Sequence, residues 1–471
     1  MTDADYEVLL GLMFRVPPQD FEDHLADWRQ ELATEYARAG DDRRAAIAEL
    51  VAANIVDLGS VLADWNLTDS ARHGDAALSL DALAAQRESG FALLHGWGRQ
   101  DLTDDAQQEL RSIETSSLAA LARMTLRGET NTYWGNDYAA NLYRAMRRGA
   151  CLVTTNPVLV NVARTEDPGY WTPVRDALRE QHPGYSPVEL AYSMTVQVVV
   201  SNARLLRPLW ELTEGRIGYV SLQLSPKQAG DAEAMIREAR WCYAKLEEEL
   251  RGTPNTVFKL PGTRAGLDAC CQVTSEGMGV NITVNFSLPQ QIAFAGAIEA
   301  HSTALTSFRT HMDGRLDDPV GEELEALGVA DWEEVKTWCT TAIRQREYRM
   351  LCHPPQQGGL GFTRANPLPA SGRGPWNILR SINDGPVPIF VTIFPDKQEQ
   401  FDSEPRQLDP RGLWTPLPEG TLDKLLKSKL FRMAYEPDGM SVADFDDYLP
   451  VVRTLDQFAK SYDEFVEWVA G

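Results

Sequence analysis

The sequence predicts an α/β chain: a closed (β/α)8 TIM barrel with an all-helical extension before it and helices after it. Three observations carry that prediction. From about residue 130 onward, short apolar, β-rich runs alternate with helical stretches, the pattern of βαβ units in a parallel sheet. About eight such units follow one another, and a barrel of this kind takes roughly 250 residues. No GxGxxG or GxxxxGK[ST] turn occurs anywhere in the chain, as an open nucleotide-binding sheet would require.

Residues 1–125 show no strand-like alternation. Phe21–Ala39, Arg43–Leu58 and Asp104–Arg127 carry apolar residues at three- and four-residue spacing and are expected to be helices. Arg43–Leu62 is rich in Ala and Leu, both good helix formers. The polar run Asp69–Asp75 is expected to be a loop. Residues 1–125 are thus a helical extension of unassigned role, and 126–471 form the barrel with its C-terminal helices. Within the barrel, Cys151–Thr155 reads as a strand that ends at Asn156-Pro157, and Pro187–Leu212 as a buried helix. Gly218–Leu224, Thr256–Leu260 and Val280–Phe286 read as strands, with helices Asp231–Leu250, Thr263–Glu276 and Leu288–Ala300 between and after them. Trp332–Glu347 reads as a helix and Tyr348–His353 as the next strand. A Gly/Pro-rich insertion, Pro354–Pro375, follows it and would lie at the catalytic face. Val387–Phe394 is a further strand, and helices Thr421–Phe431 and Leu455–Val469 end the chain.

Composition narrows the function. The 471 residues hold 68 acidic and 45 basic side chains, a formal charge of −23. Nucleic acid as the main partner is excluded by the missing basic footprint. The apolar runs Thr195–Val200 and Val387–Phe394 fall short of the ~18–20 residues of a membrane span. Met1–Asp5 has acidic residues where a secretion leader needs basic ones. The cysteines Cys151, Cys242, Cys270, Cys271, Cys339 and Cys352 form no CxxC pair and read as buried thiols of a cytoplasmic protein. No His/carboxylate cluster has metal-ligand spacing, so no metal is expected.

The most informative residue is Lys259, inside the apolar run Val257-Phe258-Lys259-Leu260. A buried ammonium is costly, and the usual escape is a depressed pKa. A neutral lysine attacks carbonyls and forms a Schiff base; the structural alternative is a strand-end lysine that reaches solvent or a carboxylate. Asn281 and Thr283 are two apart on the next strand and share one face. Gln223 is another polar side chain within an apolar strand, and Thr154-Thr155-Asn156-Pro157 ends a strand with a polar cluster.

These stretches together resemble the transaldolase family of Schiff-base enzymes. Thr154-Thr155-Asn156-Pro157 is similar to its second-strand motif, and Gly218–Pro226 to its third strand. Phe258–Leu267 followed by Gly279–Ser287 is similar to its fourth and fifth strands. The resemblance spans roughly residues 130–320 and is weaker beyond. It implies Lys259 as the Schiff-base lysine, Thr155, Asn156 and Asn281 as pocket-lining groups, and Thr283 as the holder of the catalytic water. Arg315 would grip a substrate phosphate at the end of the sixth strand. The implied substrates are a ketose and an acceptor aldose, with no cofactor and with a homo-oligomer as one form of the protein.

The sequence also departs from the family pattern. The family's first-strand aspartate, its general base, aligns with Tyr133, and Asp137 takes its place only in another register; His353 is a third candidate. Gln223 stands where the family has a glutamate, although its aldolase branch also uses glutamine there. A second phosphate-binding arginine after strand seven is expected to be absent, because Cys352–Pro355 falls there; Arg364 and Arg373 are possible replacements. Three functions follow: a transaldolase for phosphosugars, a divergent aldolase or transaldolase for an unusual sugar, and a barrel without catalysis that serves as a binding or scaffold protein.

Overall fold

A computed structural model describes residues 17–74, 78–140 and 142–471; Met1–Asp5 and Asp75 lie outside them. Eight parallel strands run in the order β7-β6-β5-β4-β3-β2-β1-β8. They are β1 (Thr132–Asn136), β2 (Leu152–Thr154), β3 (Tyr219–Gln223), β4 (Thr256–Pro261), β5 (Val280–Thr283), β6 (Ser307–Met312), β7 (Ala365–Ala370) and β8 (Ile389–Ile393). β8 pairs with β1 along its whole length, and β7 lies beside β8. The sheet therefore curls into a barrel with one seam. Among the described residues no hydrogen-bonded ladder crosses that seam. Pro367 and Pro369 lie on β7; being two apart they face the same neighbour, and neither has an N–H to give.

Register fixes what fills the interior. Tyr133 pairs with Phe390, and their rings stack at 4.9 Å. Phe308 meets Phe390 edge-on at 5.0 Å and Tyr219 at 6.1 Å. Strands β1, β3, β6 and β8 can meet only inside the barrel, so these rings plug its N-terminal half. Two to four residues further along the same strands the interior turns polar. Thr154 pairs with Ser221, Gln223 with Lys259, and Lys259 with Asn281.

Three sequence expectations need correction. Tyr348–His353 is not a strand: Tyr348–Cys352 is a π-helical turn that continues the helix Cys339–Glu347. A run this short cannot be assigned from apolar spacing alone. The true β7 lies inside the expected insertion, hidden by its prolines. The helix expected over Trp332–Glu347 is broken into Trp332–Lys336 and Cys339–Glu347.

In the extension, helices Pro18–Arg38, Asp41–Leu58, Val61–His73, Leu80–Gly96, Gln100–Thr115 and Ser117–Leu126 pack together. Leu80–Gly96 escaped the sequence reading, and Asp69–His73 is helical rather than loop. By length and composition alone, Asp41–His73 could cross a membrane, contrary to the expectation from sequence, yet 61% of its most apolar window is buried within the protein. The extension sits against the N-terminal end of the barrel, where Val61, Trp65, Leu126, Tyr133, Trp134 and Cys151 line a small shared cavity of about 40 Å³. Its polar anchor is Asp57, which is fully buried. It accepts from Tyr143 Oη at 2.6 Å and Arg147 Nε at 2.8 Å. Asp57→Ala strands both donors and is expected to cost about 2–4 kcal/mol. A urea titration should therefore show a lower midpoint; an unchanged one would mean that apolar packing and the other polar links, such as Arg148 to Glu109 and Ser116 to Asp402, dock the extension without Asp57.

Candidate functional site

The C-terminal ends of β1 to β5 converge on Lys259. β4 carries it inward between Gln223 and Asn281, and only 6% of it is exposed. Its Nζ donates to the carbonyl of Thr155 at 2.8 Å. Burial is the largest influence on its pKa, which falls to about 8; Asp137 pulls it back up, and Arg315 pushes it further down. Asp137 is the residue just after β1. Its N–H donates to Ile393 O at 3.0 Å, and its carboxylate accepts from Thr154 Oγ1 at 2.6 Å. Burial pushes its pKa up, opposed by Lys259, by the Thr154 hydroxyl and by Arg315. The two groups thus perturb each other across the polar half of the barrel, out of reach of bulk water.

The other general-base candidates lie elsewhere. Tyr133 is four residues before Asp137, about 13 Å deeper along the strand, in the aromatic plug. Burial raises its hydroxyl to about 12. His353 follows the π turn and packs on Tyr348 and Trp414. Tyr348 Oη in turn bonds Val387, which precedes β8, at 2.6 Å, so His353 lies at the opposite end of the barrel from Lys259.

The remaining polar residues divide into committed and open ones. Asn281 donates to Ser221 Oγ at 3.0 Å and accepts from Thr310 Oγ1 at 2.7 Å. Asn156 caps the helix Pro157–Glu166, its Oδ1 accepting from the N–H of Val158 and Leu159. In contrast, Gln223 Oε1 and Thr155 Oγ1 are buried with no partner among the described residues. Among the described residues, the hydroxyl of Thr283 has only the sulfur of Met312 as a partner, at 3.8 Å. β5 stops at Thr283 because Val284 takes a φ of 52°, a left-handed turn that no strand tolerates.

Arginines lie at the mouths of β6 and β7. Arg315 starts the helix Asp313–Ala326. Its Nη1 donates to Gln457 Oε1 at 2.6 Å, and its guanidinium lies 5.0 Å over the Phe458 ring. Both partners belong to the C-terminal helix Leu449–Ala470, which roofs this side. Arg373 follows β7 by three residues, so the arginine expected to be missing after strand seven is present. Its error in the sequence reading came entirely from the misplaced strand. Arg364 instead precedes β7, at the far end. Arg373 donates to Asp318 at 2.9 Å, and its charge depresses the pKa of Arg315, second only to burial. Two like charges thus lie near enough to act on each other, each also held by a protein partner. Sequence reasoning also missed Thr154 and Thr310 as partners of the buried polar groups. The inward parity of β2 and β6 would have revealed them.

Comparison with known proteins agrees with this architecture. The family model for transaldolase/fructose-6-phosphate aldolase matches residues 141–338. A transaldolase of Neisseria meningitidis is 31% identical over 221 residues, 42% of this chain and 61% of that relative. Transaldolase 1 of Streptomyces avermitilis is 31% identical over 283 residues, 58% of this chain and 68% of the relative. A Thermobifida fusca transaldolase is 26% identical over 357 residues, 69% and 89% of the two chains. The chain thus spans less than two thirds of the Neisseria protein but more of the other two. With its barrel, its in-strand lysine and these relatives, the chain belongs to the transaldolase family.

Proposed function

We propose that this protein is a Schiff-base aldolase of the transaldolase type, moving a three-carbon dihydroxyacetone unit from a ketose phosphate to an aldose. The observation that carries the reading is the buried Lys259, depressed to about 8 and facing Asp137. Near neutral pH a useful fraction of this amine is uncharged and nucleophilic. It attacks the ketone carbonyl to give a carbinolamine. Loss of the carbinolamine oxygen as water leaves a protonated imine. That imine draws electrons, so the carbon–carbon bond next to the adjacent carbon breaks as a proton leaves the neighbouring hydroxyl. Asp137 is the base suited to take it: it is a buried carboxyl whose pKa burial raises, and Lys259, the Thr154 hydroxyl and Arg315 favour its charged form. The enamine left behind adds to an aldehyde, the reverse of the same step, and hydrolysis of the imine frees the product.

Thr283 and Gln223 are assigned the water. Both have hydrogen-bonding capacity that the protein leaves open, and a water needs two or more such partners. Asn281 and Asn156 shape the pocket wall. Arg315 and Arg373 are assigned the substrate phosphate. This is the feature that favours phosphorylated ketoses over an unusual unphosphorylated sugar, because two guanidiniums that repel each other would share an anion, beyond the protein partners Gln457 and Asp318 that each already has.

Borohydride reduction in the presence of fructose 6-phosphate should add a reduced three-carbon or six-carbon unit to Lys259, found by intact mass and peptide mapping, and Lys259→Met should take up none. Absence of any adduct, with phosphorylated and unphosphorylated ketoses alike, in protein proven folded would identify a non-catalytic barrel. The trapping rate should also rise with pH up to about 8 and level off above it, because only the neutral amine adds. In Asp137→Asn the carboxylate that holds the ammonium charged is gone. The midpoint should then move to lower pH while aldol cleavage falls by about 10²-fold or more.

A further inference from the structure

We propose that Asn377 is a positioning residue for the anion end of the site, holding Arg373 in place beside Arg315; this rests on the assignment of those arginines to the substrate phosphate. The loop between β7 and the short helix Pro375–Leu379 needs such a hold. Ser371 sits at a φ of 58°, a conformation that a side chain makes costly. The backbone N–H groups of Arg373 and Gly374 both turn inward, and a buried N–H must find an acceptor. Asn377 Oδ1 serves both, at 2.9 and 3.2 Å. Its Nδ2 donates to Asp313 Oδ2 at 2.9 Å, which fixes the orientation of the amide.

Asp313 is itself immobile. It is 1% exposed, and Arg344 Nη2 lies 2.5 and 2.6 Å from its two oxygens. His311 Nδ1 is 3.3 Å away, and Arg344 is anchored in turn on Ser381 Oγ at 2.9 Å. Burial alone would raise the Asp313 carboxyl, but Arg344 and His311 hold it below the ordinary carboxylate value, so it stays charged. Asp313 is also two residues from Arg315. One buried carboxylate therefore fixes the start of the helix that carries one arginine and, through Asn377, the loop that carries the other.

The two loops touch directly as well. Gly314 N donates to Ser371 O at 3.1 Å. A β-carbon on Gly314 would fall 2.5 Å from Arg373 Cζ, so the Arg373 side chain lies flat on that glycine. None of these groups reaches Lys259. Loss of the Asn377 contact should loosen the grip on the anion and leave the chemistry alone.

The test compares wild type, Asn377→Ala and Asn377→Asp. Asp keeps an acceptor for the two N–H groups, but it replaces the donor to Asp313 with a second carboxylate facing that buried charge. Inorganic phosphate binding is measured by calorimetry, and KM and kcat are measured for fructose 6-phosphate and for fructose. In Asn377→Ala, phosphate affinity should fall and KM for fructose 6-phosphate should rise, each about tenfold. The expected kcat stays within about twofold, KM for fructose is unchanged, and Asn377→Asp loses phosphate affinity at least as much as Ala, through repulsion of Asp313. A folded Asn377→Ala with wild-type phosphate affinity, or one that loses kcat equally on both sugars, overturns the proposal. If Asn377→Ala does not fold, Asn377→Asp carries the same comparison. Failure of wild type itself to bind phosphate or to prefer the phosphorylated sugar would instead overturn the anion assignment, and the positioning role with it.

Discussion

An ammonium and a carboxylate buried in the same barrel interior set the terms for everything around them. Lys259 and Asp137 are both almost withdrawn from solvent, and each is tolerable because the other offsets its charge and the strands bring partners to it. The Thr155 carbonyl accepts from the lysine, and the Thr154 hydroxyl donates to the aspartate. Both partners come from one strand end, so the short β2 serves as the common support of the pair. The aromatic plug beneath does the complementary work. By filling the N-terminal half of the barrel with rings, it closes the back of the site to water and keeps both charges in a medium of low polarity. A lysine held there gains reactivity from the same burial that makes it expensive.

The anion end follows a different logic. Its arginines are partly exposed, Arg315 in the first turn of a helix and Arg373 on a loop, where side chains are free to move. Their placement is therefore secured from behind, by a buried network of Asp313, Arg344, His311, Asn377 and Ser381 outside the barrel wall. The roof over Arg315 comes from the C-terminal helix, far away in sequence. Residues 141–338, the stretch matched by the family model, contain the lysine strand and Arg315. Asp137, Arg373, Asn377 and Gln457 lie beyond its ends. The stretch matched by the family model thus holds the buried lysine with Thr155, Gln223, Asn281 and Thr283, while Asp137 and Arg373 come from its flanks.

Much of this was legible from the sequence, and the rest was hidden for identifiable reasons. β4 and β5 were readable because a lysine and an Asn-x-Thr pair interrupt apolar runs, and the interruption itself marks the site. The first-strand base was ambiguous because Tyr133 to Asp137 offers inward residues at two depths, and parity alone does not say which depth faces Lys259. The hydrogen bond from Thr154 puts Asp137 at the level of the polar half, and Tyr133 stacks on Phe390 in the aromatic plug. β7 was invisible because Pro367 and Pro369 argue against a strand, and the apolar Tyr348–Cys352 nearby supplied a false one. That single shift moved a loop to the wrong end of the barrel and removed an arginine from the right one. The extension's helices were only partly separable, since apolar spacing does not mark where one helix stops and the next begins unless a capping residue intervenes.

The unladdered seam between β7 and β8 has a mechanical consequence. A hoop bonded all round resists changes in its girth, whereas a hoop with one open joint behaves as a curled strip whose ends can slide without breaking any backbone bond. Arg373 rides on one of those ends, at the lip of the joint. The distance from it to Arg315 is then not guaranteed by the sheet, as it would be in a ring bonded throughout, and side chains must act as the clasp. The sheet leaves the barrel free to widen or narrow at the lip that carries Arg373, while the strands that bear the lysine, on the opposite arc, keep their register.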